Sequence, residues 1–204
     1  MEMNGLVDVP QTDRQILKAA IHLYRQIGYR KTTVADIARR MSMSSANIYR
    51  FFASKRAIED AVVAELFEEV ITAATEAAEC ESSAIERLRS VLTTLERVHA
   101  VRRADDTKLH ELILTSMIEK WPPACAYADA VNSTIVRILA DGQASDELPD
   151  GPPEILSECI LTATWMHIHA CVAPACRIFP RTNMGQMLEF CVGAICGRKA
   201  RFDP

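Results

Sequence analysis

Residues 42–55 read SMSSANIYRFFASK and hold the side chains best suited to binding chemistry. The four small residues Ser44–Asn47 can approach another surface closely, and their hydroxyl and amide groups form hydrogen bonds. Tyr49, Arg50 and Lys55 add a phenol and two cations, which pair well with anionic oxygens. The segment therefore predicts recognition of a polar, anionic surface rather than the making and breaking of covalent bonds.

Basic residues are concentrated near the start of the chain. Residues 14–56 contain ten Lys and Arg against one acidic residue, Asp36, a net charge of +9. Residues 57–204 contain thirteen Lys and Arg against twenty-three Asp and Glu, a net charge of −10. A basic head on an acidic body is typical of a protein that binds a polyanion such as DNA.

Three short helices are predicted around the opening segment. Apolar residues recur with helical spacing over about Asp13–Ile27, Val34–Arg40 and Ser45–Phe52. A break of three residues, Met41–Met43, separates the second helix from the third. Helices with such a short break and a basic surface indicate a helix-turn-helix.

Local signals mark the ends of these helices. Thr12 and Gln15 have the spacing of a capping box for the first helix, and Gly28 supplies a left-handed stop after it. Thr32 or Thr33 is placed to cap the second helix, and Ser44 is placed to cap the third.

The third helix is expected to have one buried side and one exposed end. Ile48 and Phe52 stand four residues apart and form its buried pair. Its first turn, Ser44–Asn47, is small and polar, as required of a helix whose first turn enters the major groove of DNA.

Residues 32–62, TTVADIARRMSMSSANIYRFFASKRAIEDAV, resemble the DNA-binding signature of the TetR family of transcriptional regulators. The resemblance is specific over roughly residues 12–62 and implies an all-α fold. It implies a DNA-binding domain at 1–54 and a helical ligand-binding and dimerisation domain at 55–204. It also implies a homodimer on a palindromic double-stranded operator, acting as a repressor that a small molecule releases.

The resemblance also implies DNA contacts at particular positions. Thr33, Tyr49 and Lys55 match phosphate contacts, and Arg50 matches a position that reaches a base or a phosphate. Asn47 can pair with both edge groups of an adenine. The full set of expected DNA contacts is Thr33, Ser44, Ser45, Ala46, Asn47, Tyr49, Arg50 and Lys55.

Two residues depart from the family pattern. Ser42 stands in the turn where glycine is usual, so the geometry of the turn is expected to differ slightly. Phe51 stands where histidine or tyrosine is common, and its ring cannot donate a hydrogen bond to a phosphate.

The rest of the chain keeps a helical pattern. Ser54 is placed to cap a long fourth helix, which is expected to join the head to the body. The expected helices of the body are about Lys55–Ala78, Ser83–Ala104, Asp106–Lys120, Pro123–Gln143, Pro153–Ala173 and Asn183–Arg198.

The two C-terminal helices are expected to form the dimer interface, because such an interface should be apolar and self-complementary. Gly193 and Gly197, four residues apart, would allow close approach of two helices, although Gly197 serves equally well as a helix C-cap. The expected interface residues are Leu188, Cys191, Val192, Gly193 and Ile195.

The middle helices are expected, on the resemblance, to enclose a pocket for a mostly apolar effector. Rings and thioethers beside a few polar groups suit such a ligand, although each residue alone also fits an ordinary core. The candidates are His110, Met117, Trp121, Tyr127, Trp165, Met166 and His169.

Several classes of function lack the residues they need. The sequence has no G-x-S-x-G, no glycine-rich phosphate loop and no H-E-x-x-H, so we expect no catalytic residue and no enzyme activity. His167 and His169 are roughly 200° apart on a helix, and the seven cysteines lack zinc-site spacing, so we expect no metal or cofactor. The N-terminus lacks a signal peptide, and charged or polar residues interrupt the longest apolar stretch, so we expect a cytoplasmic protein with no membrane span.

Two alternatives remain open on the sequence alone. Cys171 and Cys176 lie close together across Pro174, which allows a regulator that responds to thiol oxidation. The helices also permit an interaction protein that does not bind DNA.

Overall fold

The computed structural model describes residues 11–169 and 182–197 of the 204-residue chain. The described residues form helices and no strands, which confirms the predicted all-α fold. The helices are α1 (Gln11–Ile27), α2 (Val34–Arg40), α3 (Ser45–Ile48), α4 (Lys55–Glu79), α5 (Ala84–Asp105), α6 (Thr107–Ile118), α7 (Pro122–Ala144), α8 (Pro153–Ile168) and α9 (Met184–Ile195).

Two of the predicted ends in the head are wrong. α1 begins at Gln11, so Thr12 lies inside its first turn and does not cap it. α3 ends at Ile48 instead of Phe52, because the next turn is tighter than an α-helix. The amides of Arg50 and Phe51 bond to carbonyls three residues back, which is the pattern of a 3₁₀ turn.

The predicted turn between α2 and α3 keeps the left-handed geometry that glycine favours. Ser42 has a φ of 55°. The amide of Ser42 donates to the carbonyl of Arg39 at 3.1 Å, and the amide of Met43 donates to the carbonyl of Ala38 at 2.9 Å. These two bonds form a Schellman motif with serine in the glycine position. The serine therefore strains the backbone without changing the turn.

The body is a bundle organised around α4. α4 packs against α1 near its start and against α5 and α7 along the rest of its length. Leu66, Phe67, Leu92, Leu95 and Ile135 are buried in this bundle. Within the described residues, no helix is long and apolar enough to cross a membrane.

α6 ties the head to the body. Its side chains meet α1 and the loop after it, and most of these contacts involve a charged group. The contacts join Arg25 Nε to Asp106 Oδ2 at 2.5 Å, Lys108 Nζ to the carbonyl of Gln26, the hydroxyl of Tyr29 to Thr115 Oγ1 at 3.0 Å, and Arg30 Nε to Glu111 Oε1 at 3.5 Å.

Candidate DNA-binding surface and effector site

The first turn of α3 is exposed and held by a buried anchor. Ser44 caps the helix, and its hydroxyl accepts a hydrogen bond from the amide of Asn47 at 3.2 Å. Ile48 is fully buried against the head, so the helix cannot turn about its own axis without losing that contact. Ser44 and Ala46 are exposed, and Ser45 and Asn47 are half-buried. The side chains expected to meet base edges therefore lie together on one outer end.

Two predicted phosphate-binding side chains project beside this turn. Tyr49 is 51% exposed. Arg50 is also exposed, and it forms no ion pair or side-chain hydrogen bond with any residue the structure describes. Phe51 is exposed as well, while Phe52 is half-buried beneath the head.

Thr33 caps α2 in a capping box with Asp36. Its hydroxyl accepts from the amide of Asp36 at 3.2 Å and donates to the carboxylate at 2.6 Å. The hydroxyl and the backbone amide of Thr33 both donate to this carboxylate and lower the pKa of Asp36, because they favour its ionised form. The hydroxyl proton of Thr33 is therefore already hydrogen-bonded within the head.

Lys55 reaches inward rather than toward solvent. Its ammonium donates to the carbonyl of Tyr29 at 2.8 Å and pairs with Glu59 Oε1 at 3.3 Å. Ser54 caps α4 by accepting from the amide of Ala57 at 3.0 Å. Lys55 thus fastens the loop after α1 to the first turn of α4, and its phosphate contact stays a prediction.

The body encloses an apolar cavity of about 50 Å³ between α5, α7 and α8. Three of the predicted effector residues line it, namely Tyr127, Trp165 and His169. The complete lining is Leu95, Tyr127, Ala128, Val131, Leu161, Trp165, Ile168 and His169.

The other predicted effector residues lie outside this lining. Trp121 stands at the junction of α6 and α7, where the guanidinium of Arg56 covers its ring. Met117 packs against the core near the end of α6, and Met166 is 43% exposed on α8. His110 is buried on α6.

His99 packs against Tyr127 and His169 of the cavity lining, and the sequence analysis did not single it out. His99 Nε2 lies 2.9 Å from the hydroxyl of Tyr127, and the His99 ring meets the His169 ring edge-on with 4.7 Å between centroids. The sequence does contain a signal for the burial of His99. His99 stands four residues after Leu95 and so continues the buried stripe of α5.

The buried histidines are neutral. Burial lowers the pKa of His99 to about 2 and that of His169 to about 4. Burial and the nearby Arg103 also lower the pKa of His110. At neutral pH each ring therefore offers one hydrogen-bond donor and one acceptor and carries no charge.

A larger, open cleft of about 500 Å³ lies between α1 and α5. It contains none of the predicted residues, and arginines and aspartates dominate its polar lining. The lining is Arg25, Arg97, Val98, Val101, Arg102, Asp105 and Asp106.

The predicted dimer residues are mostly inside the protomer. Leu188, Cys191, Val192 and Gly193 are buried, and Ile195 is half-buried. Leu188 and Cys191 belong to the core of the protomer and Ile195 packs against it, so these three leave little surface for a partner. The large exposed apolar side chains of α8 and α9 are instead Ile155, Trp165, Met166 and Phe190.

The described residues contain no group of three or more His, Cys, Asp or Glu that could hold a metal ion. Cys80, Cys125 and Cys159 are exposed free thiols. Cys171 and Cys176, the predicted thiol pair, lie outside the described residues.

A basic helical head with an exposed, anchored first turn on α3 defines a helix-turn-helix DNA-binding protein. Profiles of known families match both parts of the chain. Residues 16–62 match the bacterial regulatory proteins of the tetR family, and residues 84–179 match the tetracyclin repressor-like C-terminal domain. The chain belongs to the TetR family of transcriptional regulators.

Solved structures of several regulators share the fold. A TetR/AcrR regulator from Thermobifida fusca YX-ER1 is 24% identical with a TM-score of 0.63, over 93% of this chain and 99% of that one. The fatty acid degradation regulator FadR from Bacillus halodurans is 14% identical with a TM-score of 0.66, over 94% and 98%. FadR from Bacillus subtilis, in complex with stearoyl-CoA, is 18% identical with a TM-score of 0.61, over 89% and 98%. No curated protein sequence matches this chain.

Proposed function

We propose that this protein is a homodimeric repressor that binds a palindromic operator and leaves it when an effector with an apolar part occupies the body. The observation that carries the DNA-binding part is the exposed first turn of α3 above the buried Ile48. Asn47 reads a base there, and Tyr49 and Arg50 hold the flanking phosphates.

A dimer follows from the geometry of the operator. One short recognition helix contacts few base pairs, whereas two related helices about 34–36 Å apart read two successive turns of the major groove. The exposed Ile155, Met166 and Phe190 on α8 and α9 supply an apolar surface for the partner.

The effector site is the cavity beside Tyr127, Trp165 and His169. Its wall is apolar except at the histidine end, which suits a ligand with an apolar part and one polar group. The stearoyl-CoA held by FadR of Bacillus subtilis supports testing acyl compounds. Such a ligand shifts the DNA-binding equilibrium by its difference in affinity for the two states of the protein.

The protein acts by binding and not by catalysis, in the cytoplasm where its operator lies. The test is fluorescence anisotropy with a labelled promoter fragment at several salt concentrations. Arg50→Ala should weaken binding and reduce the slope of log K against log salt by about 1. Asn47→Ala should cost about 1–3 kcal/mol on the operator and little on unrelated DNA.

Arg97→Ala is the matched control, because it removes the same charge from an exposed site on the body. Equal affinity and equal salt slope for Arg50→Ala and the unmodified protein would refute the assigned DNA surface.

A further inference from the structure

A polar cluster of the buried His99 and His110 and the half-buried Arg103 lies next to the cavity. His99 is 1% exposed and His110 is 6% exposed. Neither ring nitrogen of His110 has a hydrogen-bond partner among the described residues, and the same holds for Nδ1 of His99 and the buried Nη1 of Arg103. Buried polar groups are normally paired, so these unpaired atoms are available to a bound polar group.

Helix geometry brings these groups together. His99 and Arg103 are one turn apart on α5 and therefore share a face. Arg103 exerts the largest charge effect on His110 across the gap to α6, and it also acts on His99. The three side chains therefore belong to one site and not to three separate defects of packing.

Among the described residues, no acidic side chain pairs with the positive charge of this cluster. The charged groups that act on His99 and His110 are arginines, with no acidic residue among them. Arg102 is already paired with Glu69 Oε2 at 3.0 Å, whereas Arg103 forms no ion pair with any residue that the structure describes. Arg103 is half-buried with its Nη1 buried and unpaired, and an anion placed beside that nitrogen would satisfy it.

We propose that His99, Arg103 and His110 bind the carboxylate of the effector, and that its apolar tail lies in the cavity. The planar guanidinium of Arg103 matches the two oxygens of a carboxylate, and the neutral imidazole of His110 donates a further hydrogen bond. A phosphate would bring up to two negative charges to a single unpaired cation, which leaves one uncompensated. This inference rests on the proposed effector site in the body.

The tail reaches the cavity beside His169. The ring of His169 lines the cavity and also packs against His99, so the two sites share a wall. A volume of about 50 Å³ holds about three to five groups of the size of water. The cavity as it stands therefore fits a short apolar tail.

Isothermal titration calorimetry on the full chain tests the carboxylate site with butanoic, hexanoic and octanoic acids, each against its primary amide. The amide has the same shape and can form hydrogen bonds but has no charge. We expect at least one acid to bind about tenfold or more tightly than its amide. Arg103→Met should remove that preference, and Arg103→Lys should restore part of it.

Arg97→Met is the control, because it removes a cation from the exposed side of the same helix and should leave the preference unchanged. His110→Asn is a second test variant, which keeps the charge of Arg103. It should weaken binding of the acid more than binding of the amide. Melting temperatures establish that each variant is folded.

Three results would overturn the proposal: an acid and its amide that bind equally, an acid preference that survives Arg103→Met, or no binding of any of the acids. The anisotropy assay on DNA is independent of all three. If the protein did not bind its operator, the proposed repressor function would be refuted. The comparison of acid and amide would still test the carboxylate site.

Discussion

The guanidinium of Arg56 lies over the face of Trp121, with 3.4 Å between its central carbon and the ring centroid. Arg56 is in the first turn of α4, and Trp121 immediately precedes α7. Arg56 Nε also pairs with Asp60 Oδ1 at 2.9 Å, which orients the guanidinium over the ring. The DNA-proximal end of α4 is therefore fastened to the body by a cation–π contact.

The Arg56–Trp121 contact should contribute a measurable interaction energy to the stability of the protein. We expect the double-mutant cycle of Arg56→Met and Trp121→Leu, measured by urea unfolding, to give about 1 kcal/mol. Asp60→Asn in the same background separates the ion pair from the ring contact. Additive effects of the two single variants would mean that the contact contributes nothing.

Ser42→Gly should stabilise the head. Glycine adopts the φ of 55° without the steric cost that serine bears, so we expect a gain of about 1 kcal/mol in the free energy of unfolding. Ser42→Ala is the control, because alanine keeps the Cβ atom and should give no gain. If Ser42→Ala raised the free energy of unfolding as much as Ser42→Gly does, the gain would not come from relief of backbone strain.

Substitution of Lys55 should lower the stability of the protein, whereas substitution of Arg50 should leave its stability almost unchanged. Lys55→Met leaves the carbonyl of Tyr29 and the buried carboxylate of Glu59 without their cation, so we expect a loss of about 1.5–3 kcal/mol. Arg50→Met should change stability by less than about 0.5 kcal/mol, since its side chain is exposed. Urea unfolding measures both, and equal stability of the two variants would contradict the inward role of Lys55.

The buried histidines should make the protein less stable in acid. Unfolding restores a pKa of about 6.5, whereas burial holds the pKa of His99 at about 2 and that of His169 at about 4. The unfolded chain therefore takes up protons that the native chain does not, and stability falls as pH drops below about 6.5. Two histidines contribute a slope approaching about 2.7 kcal/mol per pH unit between about pH 6 and pH 4.

The pH slope is checked by urea unfolding across this range, with His99→Asn and His169→Asn combined as the comparison. Carboxyl groups titrate in both proteins, so their contributions cancel in the difference. Identical slopes for the two proteins would rule out the buried neutral histidines as its source.

The limits of the helices in the head could be read largely from local caps. Thr33, Ser44 and Ser54 each accept a hydrogen bond from an amide three residues later, and this pattern depends only on neighbouring residues. The early end of α3 could not be read in this way. Residues 49–52 have helical composition, but packing of the half-buried Phe52 under the head accompanies a tighter turn.

The orientation of side chains was harder to predict than the helices that carry them. Lys55 turns toward a carbonyl 26 residues away in the sequence, a contact that spacing along α4 cannot show. α9 has apolar residues on several faces, so the pattern cannot tell the core side from the partner side. Leu188 is buried and Phe190 is half-exposed, although both are apolar and only two residues apart.

The position of His110 on α6 has a mechanical consequence. Lys108 and Glu111 flank it, and their side chains hold Gln26 and Arg30 of the head. α6 is one uninterrupted helix, so its contacts with the interior and its contacts with the head belong to a single element. The buried His110 and the head are thus separated here by the width of one helix.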